Sequence, residues 1–454
     1  MRFETLAEWL AWQETLHPRP IDLGLARVSR VLGGMSLPSR KPFTISVGGT
    51  NGKGSCVAML DSILRASGYR VGTYTSPHIL RYNERICLDG HPVDDDRITR
   101  AFDLIDRVRD GTTLSFFEFG TLAALDVFAR DHVDIQILEV GLGGRLDAVN
   151  VVDADMALLA TIDIDHQEWL GDTREMIGYE KAGILRGGRP AVVADSDAPA
   201  SVIRVALEVG ANLNLQGRDY GFVRIDSGWS WWSGHGGRLD GIPLPAIPGE
   251  HQLINASAVL QCLHLAAGQF PVSREAIESG LLQVRLPGRF QFFPGRVPVL
   301  LDVAHNPQAV RNLAAHLRRH YPDRRCKAVF SVMRDKDIST MIGFMSELVH
   351  EWYLAPLRMP RAATPEELEK ILHNAGMARV QYGFTDASDA IHAACRDAFP
   401  GDLLVVFGSF FLVSEYLAMV AEGGLNGLAV EASSGGRGGH CADGHSDRAF
   451  IFRG

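Results

Sequence analysis

Phe43-Thr44-Ile45-Ser46-Val47-Gly48-Gly49-Thr50-Asn51-Gly52-Lys53-Gly54-Ser55 decides how the N-terminal part of this chain folds. An apolar, β-branched run, Phe43 to Val47, leads into a glycine loop, and the helical run Cys56 to Ala66 follows. Strand, glycine loop and helix in that order form a phosphate cradle. Glycines let backbone N–H groups approach phosphate oxygens, the helix N-terminus adds partial positive charge, and a lysine reaches the β- and γ-phosphates. Lys53 is that lysine. The strict GxxxxGK[ST] spacing is not met, because Val47 stands where its first glycine belongs and Gly54 intervenes before Ser55. The bland alternative is a Gly-rich turn with a solvated lysine.

Working outward, strands alternate with helical stretches, the pattern of α/β proteins with parallel sheets covered on both faces. The first series continues through Arg70 to Tyr74, Asp134 to Val140 and Met156 to Ile164, all apolar or β-branched runs that read as buried parallel strands. A second series comprises Val297 to Val303, Lys327 to Met333, Trp352 to Ala355 and Leu403 to Phe407. Thr364-Pro365-Glu366-Glu367 opens one of its helices as a capping box with Pro at the first helical position. Between the series, Leu286-Pro287-Gly288-Arg289 and Pro294-Gly295 suit an interdomain linker, which places the boundary near residue 295. Asp226 to Pro248, with Trp229, Trp231 and Trp232, reads as a hairpin-rich insertion. From Glu422 onward Gly and Ser dominate, and the tail to Gly454 reads as coil. His440, Cys441 and His445 within it have a metal-binding alternative.

A chain of 454 residues exceeds the roughly 250 to 300 at which one hydrophobic core stops growing, so two domains are expected. Apolar residues at 46% and charged residues at 22% suit a globular protein. No stretch approaches the ~18 uncharged apolar residues of a membrane span. Met1 to Leu16 carries Arg2, Glu4, Glu8 and Glu14, which break up any signal-peptide core and leave an amphipathic helix. The scattered cysteines form no CxxC pair, which fits a reducing, cytoplasmic setting. A net charge of −9 argues against a broad nucleic-acid footprint. The expected partner is small.

Three further segments put polar groups at the carboxyl ends of strands, where ligands bind in open parallel sheets. Ser76-Pro77-His78 follows one strand, Glu139 ends another, and His166 follows a third. Magnesium prefers oxygen ligands and leaves positions to water and phosphate, so a hydroxyl and a carboxylate suit it, while histidine is a less usual ligand. The convergence points to a metal–nucleotide site. Taken singly, Ser76 also reads as a turn hydroxyl, Glu139 as a strand-end carboxylate and His166 as a core imidazole.

At these residues the sequence resembles the folylpolyglutamate synthases, including the bacterial bifunctional dihydrofolate synthases, which belong with the Mur ligases. The resemblance rests on Gly49 to Ser55, Tyr74 to His78, Arg81 to Arg85, Glu139 to Asn150, Asp165-His166 with Trp169-Leu170-Gly171, Glu180 to Ile184, Leu286 to Gln291, Leu301 to Pro307 and Gly408-Ser409. It spans about residues 15 to 420. It implies a Mur-ligase-like P-loop domain over residues 1–294 and a smaller Rossmann-like α/β domain over 295–421, with ATP gripped between them and 422–454 as the tail. By resemblance, ATP contacts fall on Thr50, Asn51, Gly52, Lys53, Gly54, Ser55, Asn255, Arg289, Asp302 and His305. Ser76, Glu139 and His166 look like magnesium ligands. Lys53, His166 and Lys181 are then the catalytic candidates.

Lys181 alone reads as a helix lysine paired with Glu180 or another surface carboxylate. The resemblance implies instead that it is carbamylated. An ammonium beside magnesium is repelled, since like charges at ~4 Å cost about 4 kcal/mol at an effective dielectric near 20. A carbamate reverses that sign and supplies a hard oxygen donor. The implied reaction transfers the γ-phosphoryl group to a carboxylate, and the glutamate amine then attacks the acyl phosphate. Domain closure about a hinge near Pro287-Gly288 would keep water from that intermediate.

Asp22-Leu23-Gly24, Ser115-Phe116-Phe117-Glu118 and Leu146-Asp147-Ala148 resemble the pterin-binding parts of the bifunctional enzymes. Phe116 and Phe117 would stack on a flat heterocycle while Asp22 or Glu118 accepts from its N–H groups; the competing reading makes both rings core. Dihydropteroate, tetrahydrofolate, L-glutamate and ATP are the expected substrates, with Mg2+ as cofactor and a monomer as the working form. A P-loop NTPase driving a partner, a nucleotide-binding module without catalysis, a folylpolyglutamate synthase without dihydropteroate activity and a non-folate Mur-type ligase remain alternatives.

Overall fold

The computed structural model describes residues 1–19, 21–225 and 228–423, in two compact units that divide after Pro287. His440, Cys441 and His445 and the coil expected for the tail lie outside the described residues, as do Asp226 and Ser227 of the Trp-rich insertion.

In the first unit, β1 (Phe43–Gly48), β2 (Val71–Tyr74), β3 (Ile86–Leu88), β4 (His91–Pro92), β5 (Ile135–Glu139), β6 (Met156–Leu159), β7 (Pro190–Val193) and β8 (Asn212–Leu215) form one sheet. Its order is β4-β3-β2-β5-β1-β6-β7-β8. All neighbours pair parallel except β2 with β3 and β3 with β4. The central strands are buried along their length because helices cover both faces, one apolar layer around Phe102, Phe119 and Phe128 and the other around Leu60, Ile63 and Val259. Register decides the site. Val47 pairs with Glu139 and Gly48 with Leu159, so the carboxyl ends of β5, β1 and β6 stand level.

The helix expected from Cys56 begins at Lys53, so the lysine lies in its first turn and its N-terminal N–H groups open onto the glycine loop. This helix meets the helix Arg274–Gln283 closely: a Cβ on Gly280 would lie 2.6 Å from the Ile63 Cα, and Ser62 Oγ donates to the Gly280 carbonyl at 2.8 Å. The strand expected to run to Ile164 stops at Leu159, because the following residues turn into the glycine loop, as the bridge between Asn51 and Thr161 shows. β9 (Tyr220–Ile225), β10 (Gly228–Ser233) and β11 (Arg238–Ile242) form a small antiparallel sheet. Its Trp229 and Trp231 are buried and donate to the carbonyls of Pro243 and Ser257. The Trp-rich segment thus serves as packing.

The second unit is a six-stranded sheet of β12 (Gln291–Phe293), β13 (Val299–Asp302), β14 (Cys326–Phe330), β15 (Val349–Leu354), β16 (Val380–Gln381) and β17 (Leu403–Phe407), in the order β12-β13-β17-β14-β15-β16. Only β12 runs antiparallel. Because β12 pairs with β13, the division falls at Pro287 and Gly288, ahead of the residue-295 boundary expected above. Thr364 and Glu367 cap the helix Pro365–Asn374 reciprocally, as their spacing predicts. The fold is the α/β arrangement expected, with a parallel-sheet N-terminal unit and a second α/β unit. No described helix is long and apolar enough to cross a membrane.

Candidate active site

The glycine loop is held by close backbone approach and by hydrogen bonds from threonine hydroxyls. Gly49 has φ +133°, and a Cβ there would lie 2.8 Å from the Ala160 Cβ. Gly52 has φ +91°, and a Cβ there would lie 2.5 Å from Asn255 Oδ1. Only glycine meets both demands, of dihedral and of space. Thr50 N donates to the Thr161 carbonyl at 2.7 Å, Thr50 Oγ1 donates to the Asp163 carbonyl at 2.9 Å, and Thr161 Oγ1 donates to the Asn51 carbonyl at 3.2 Å. Ser55 is buried in the helix just after Gly54. Asn255 is buried on the helix His251–Ala266, with its amide nitrogen donating to Gln252 Oε1 at 3.0 Å and its Oδ1 against Gly52. Residues distant in sequence therefore meet at one loop.

Two lysines converge on that loop. Lys53 Nζ donates to the carbonyls of Gly49 and Thr50 at 3.0 and 3.1 Å, and Lys181 Nζ donates to Gly49 O at 2.9 Å. Lys181 is 4% exposed, which excludes the solvated helix lysine of the bland reading, and Glu180 pairs with Arg145 instead. Burial and then the charge of Lys53 pull the Lys181 amine down to about 7, against the opposing pull of Asp165 and Asp147. Asp147 is buried and accepts from the N–H groups of Leu142 and Val149 at 2.8 and 3.0 Å. Its carboxyl is raised by burial to about 6, although those N–H groups and Lys53 act the other way.

Among the magnesium candidates, Glu139 ends β5 and Ser76 lies just beyond neighbouring β2, whose Tyr74 pairs with Leu138. Glu139 is 5% exposed, and its Oε2 accepts from Ser76 N at 3.2 Å. His166 stands in the left-handed region, φ 53°, ahead of the short helix Gln167–Leu170, and its N–H donates to Asp165 Oδ1 at 2.8 Å. Among the described residues no group of three or more His, Cys, Asp and Glu could hold a metal. One buried carboxylate with Ser76 bonded to it through its N–H is a setting that fits a hard cation completing its shell with water and phosphate, as magnesium does.

The three pterin-segment candidates also meet. Gly24 N donates to the Leu146 carbonyl at 3.1 Å, which joins the Asp22–Gly24 segment to the Leu146–Ala148 segment. Phe116 and Phe117 are both half-buried: Phe116 stands edge-on to Tyr82 at 5.4 Å with the Arg85 guanidinium 5.5 Å from its centroid, and Phe117 lies 5.6 Å from Tyr74. The two carboxylates expected to share one role have different surroundings. Glu118 is 4% exposed in its side chain and closes a capping box with Ser115, while Asp22 keeps 24%. Arg27 pairs with both, at 2.7 Å to Asp22 and 3.1 Å to Glu118, and His17 Nε2 lies 3.0 Å from Asp22 Oδ2. The His17 hydrogen bond and the Arg27 charge lower the Asp22 carboxyl, so it stays ionised. Sequence reading missed Arg27 and His17, since neither lies in a segment that carries the motif.

In the second unit, Asp302 at the end of β13 is buried and accepts from Phe290 N at 3.0 Å and Ala304 N at 2.8 Å. Burial raises its carboxyl to about 6 against the charge of Arg289. The Arg289 guanidinium lies 5.2 Å from the Phe410 ring centroid, and the His305 ring lies 5.7 Å from Phe410. Arg289 and His305 thus meet at Phe410, a residue the motifs did not single out, and Asp302 lies within the charge field of Arg289. Farther along the same sheet edge, beyond β14, an open cavity of about 470 Å³ is lined by Arg334, Lys336, Asp337, Glu367 and Lys370 among others, with Arg334 paired to Glu367 at 3.2 Å and Lys336 to Asp335 at 3.4 Å.

Residues 288–410 match the family model of the Mur ligase, glutamate ligase domain. The dihydrofolate synthase/folylpolyglutamate synthase of Escherichia coli (strain K12) is 41% identical to the chain over 415 residues, covering 91% of this chain and 95% of that protein. The chain belongs to the dihydrofolate synthase/folylpolyglutamate synthase family. Solved members of that family share the fold. FolC of E. coli in complex with DHPP and ADP matches with a TM-score of 0.86 and 40% identity, over 92% of this chain and 98% of that one. A bifunctional folylpolyglutamate synthase/dihydrofolate synthase with Mn, AMPPNP and L-glutamate bound matches with a TM-score of 0.84 and 42% identity, over 92% and 98%. The family's glutamate ligase domain begins where the second compact unit of this chain begins.

Proposed function

We propose that this chain is an ATP-dependent ligase that joins L-glutamate to dihydropteroate, giving dihydrofolate, and to tetrahydrofolate, giving folylpolyglutamate. The observation that carries this reading is the meeting of Lys53 and Lys181 at the Gly49 carbonyl, within the charge field of Asp147. It brings the phosphate loop and a pterin segment to one end of one sheet. The relatives support it, since their names and bound molecules are those of a glutamate ligase acting on folates.

In this reading a substrate carboxylate oxygen attacks the γ-phosphorus of ATP, ADP leaves, and an acyl phosphate forms. The glutamate amine then attacks the acyl carbon, loses a proton, and expels inorganic phosphate. The loop N–H groups and the helix that starts at Lys53 hold the phosphates, and Lys53 neutralises charge on the transferring group. Asp302, Arg289 and His305 are further nucleotide contacts in this reading. Asp22, kept ionised by Arg27 and His17, accepts from the pterin N–H groups beside Phe116 and Phe117.

Ser76, Glu139 and His166 would hold magnesium, which when bound screens the phosphate charge. Lys181, buried and with an amine near neutrality, is suited to react as the free base with carbon dioxide, forming a carbamate and releasing one proton. In this reading the enzyme works as a cytoplasmic monomer, a compartment that would keep its five described cysteines, all free, reduced.

ADP release, measured with and without each substrate, tests the whole reading. Release should require L-glutamate together with either dihydropteroate or tetrahydrofolate. Release without glutamate would indicate an NTPase, release with glutamate but no pterin a non-folate ligase, and activity on tetrahydrofolate alone a monofunctional synthase.

A further inference from the structure

The loop that carries Leu146, Asp147 and Ala148 is clasped to the helix turn that carries Lys181. Arg145 N donates to the Glu180 carbonyl at 2.8 Å, and its guanidinium reaches Glu180 Oε1 at 2.8 Å through NH2 and 3.3 Å through Nε. The same guanidinium lies 5.7 Å from the Tyr179 ring centroid. Asn150 closes the joint from the other side. Its amide nitrogen donates to the carbonyls of Arg145 at 2.9 Å and Gly183 at 3.1 Å, while its Oδ1 accepts from Arg186 at 2.8 Å.

Two glycines let the backbones come this close. A Cβ on Gly144 would lie 2.8 Å from the Glu180 carbonyl oxygen and 2.9 Å from that of Lys181, and one on Gly183 would lie 2.3 Å from the Arg145 Cβ. The joint therefore bonds the backbone on either side of Lys181 to the pterin-segment loop. Movement of one displaces the other.

We infer that Arg145, through Glu180, is a positioning residue that sets how far Lys181 reaches toward Gly49 and couples that reach to the Leu146–Ala148 segment. The side chain of Arg145 is 43% exposed, and it meets Glu180 and Tyr179, which belong to the Lys181 helix rather than to the phosphate loop. An exposed ion pair adds little to stability, but this one joins two segments of the site in place. The inference rests on the ligase reading for its readout, and coupling of this kind is reciprocal: what orders the loop orders Lys181, and the converse.

The test uses the full chain as Arg145→Met, which keeps length over Tyr179 without charge, Arg145→Lys, Glu180→Gln and the Met/Gln double variant, each first checked for an unchanged melting profile. Arg145→Met should raise the dihydropteroate KM by about fivefold or more and lower kcat, while the ATP KM stays within about twofold. Arg145→Lys should recover most of the loss. The bicarbonate concentration needed to saturate the carbamate signal at Lys181 should rise in Arg145→Met and Glu180→Gln alike, with the double variant no worse than either. Wild-type pterin and ATP KM values in Arg145→Met, equal losses in both, or strictly additive losses in the double variant would overturn the inference. A wild type whose ADP release ignores pterin would instead overturn the ligase reading, so the two failures are distinct.

Discussion

Lys53 and Lys181 donate to the same acceptor, the carbonyl oxygen of Gly49, at 3.0 and 2.9 Å. Burial lowers the Lys181 amine from its ordinary 10.5 to about 7, and the charge of Lys53 on the same oxygen pushes it the same way. Lys53, half-buried at the start of its helix, faces the phosphates in this reading. Lys53→Ala should keep the fold and lose ligation, with kcat/KM down by about a hundredfold or more, because a charge-assisted contact to the transferring group is removed. Near-normal turnover in that variant would exclude the phosphate-loop reading.

The neutral amine gives Lys181 a second consequence. With ¹³C-bicarbonate, the wild type should show a carbamate resonance that Lys181→Ala lacks, and Lys181→Ala should be nearly inactive. A fully active enzyme whose Lys181 carries no modification under saturating bicarbonate would remove the carbamate from the mechanism.

The same shift has a sign in stability. Because the folded-state value is lowered, between about pH 7 and 10.5 the unfolded chain holds a proton that the folded chain lacks, so the Lys181 contribution to stability rises with pH across that window. Below it both states are protonated and the cost of the buried charge is complete. Lys181→Met abolishes this slope, so in bicarbonate-depleted buffer its stability advantage over wild type should shrink as the pH rises from about 7 to 9.5. Asp147 acts oppositely in a lower window: its folded value, raised from 3.8 to about 6, makes its contribution fall as pH rises through that range. Thermal melts of the two proteins across pH measure the difference directly, and a pH-independent gap would contradict the burial argument.

Gly52 tests the loop without touching a charge. A side chain at φ +91° is strained by about 1 to 3 kcal/mol, and its Cβ would press on Asn255 Oδ1. Gly52→Ala should weaken ADP binding by about tenfold or more in calorimetric titration while leaving dihydropteroate binding close to wild type. Unchanged ADP affinity would mean that the phosphates lie elsewhere.

How much of this was legible depended on whether one segment or several carry the information. β17 appears in the sequence as an uninterrupted apolar run and β1 as a mostly apolar one broken only by the small Thr44 and Ser46, because both faces of a central parallel strand are buried. β3 and β12 escaped notice because each is short and runs antiparallel at one side of its sheet, with no long apolar run to mark it. The phosphate loop was legible, since its glycines and lysine are contiguous. The burial of Lys181 was not: a lysine in the last turn of a helix looks solvated until the Gly49 loop and the loop after β5 close over it. Arg27 and His17 were equally hidden, for their meaning comes from two carboxylates on separate segments.

Those two carboxylates give the last prediction. Asp22 and Glu118 share Arg27, yet their side chains are 24% and 4% exposed, so one remains able to meet a ligand and the other serves the helix Phe116–Arg130 as its cap. Asp22→Ala should raise the dihydropteroate KM far more than the ATP KM and change the melting temperature little. Glu118→Gln should do the reverse, costing about 1 to 3 kcal/mol because a buried charge partner of Arg27 and an anionic cap acceptor are lost together. Parallel kinetics and melts on the two variants separate recognition from support. If Asp22→Ala loses pterin and ATP use equally, Asp22 is part of the scaffold and the pterin N–H groups find their acceptor elsewhere.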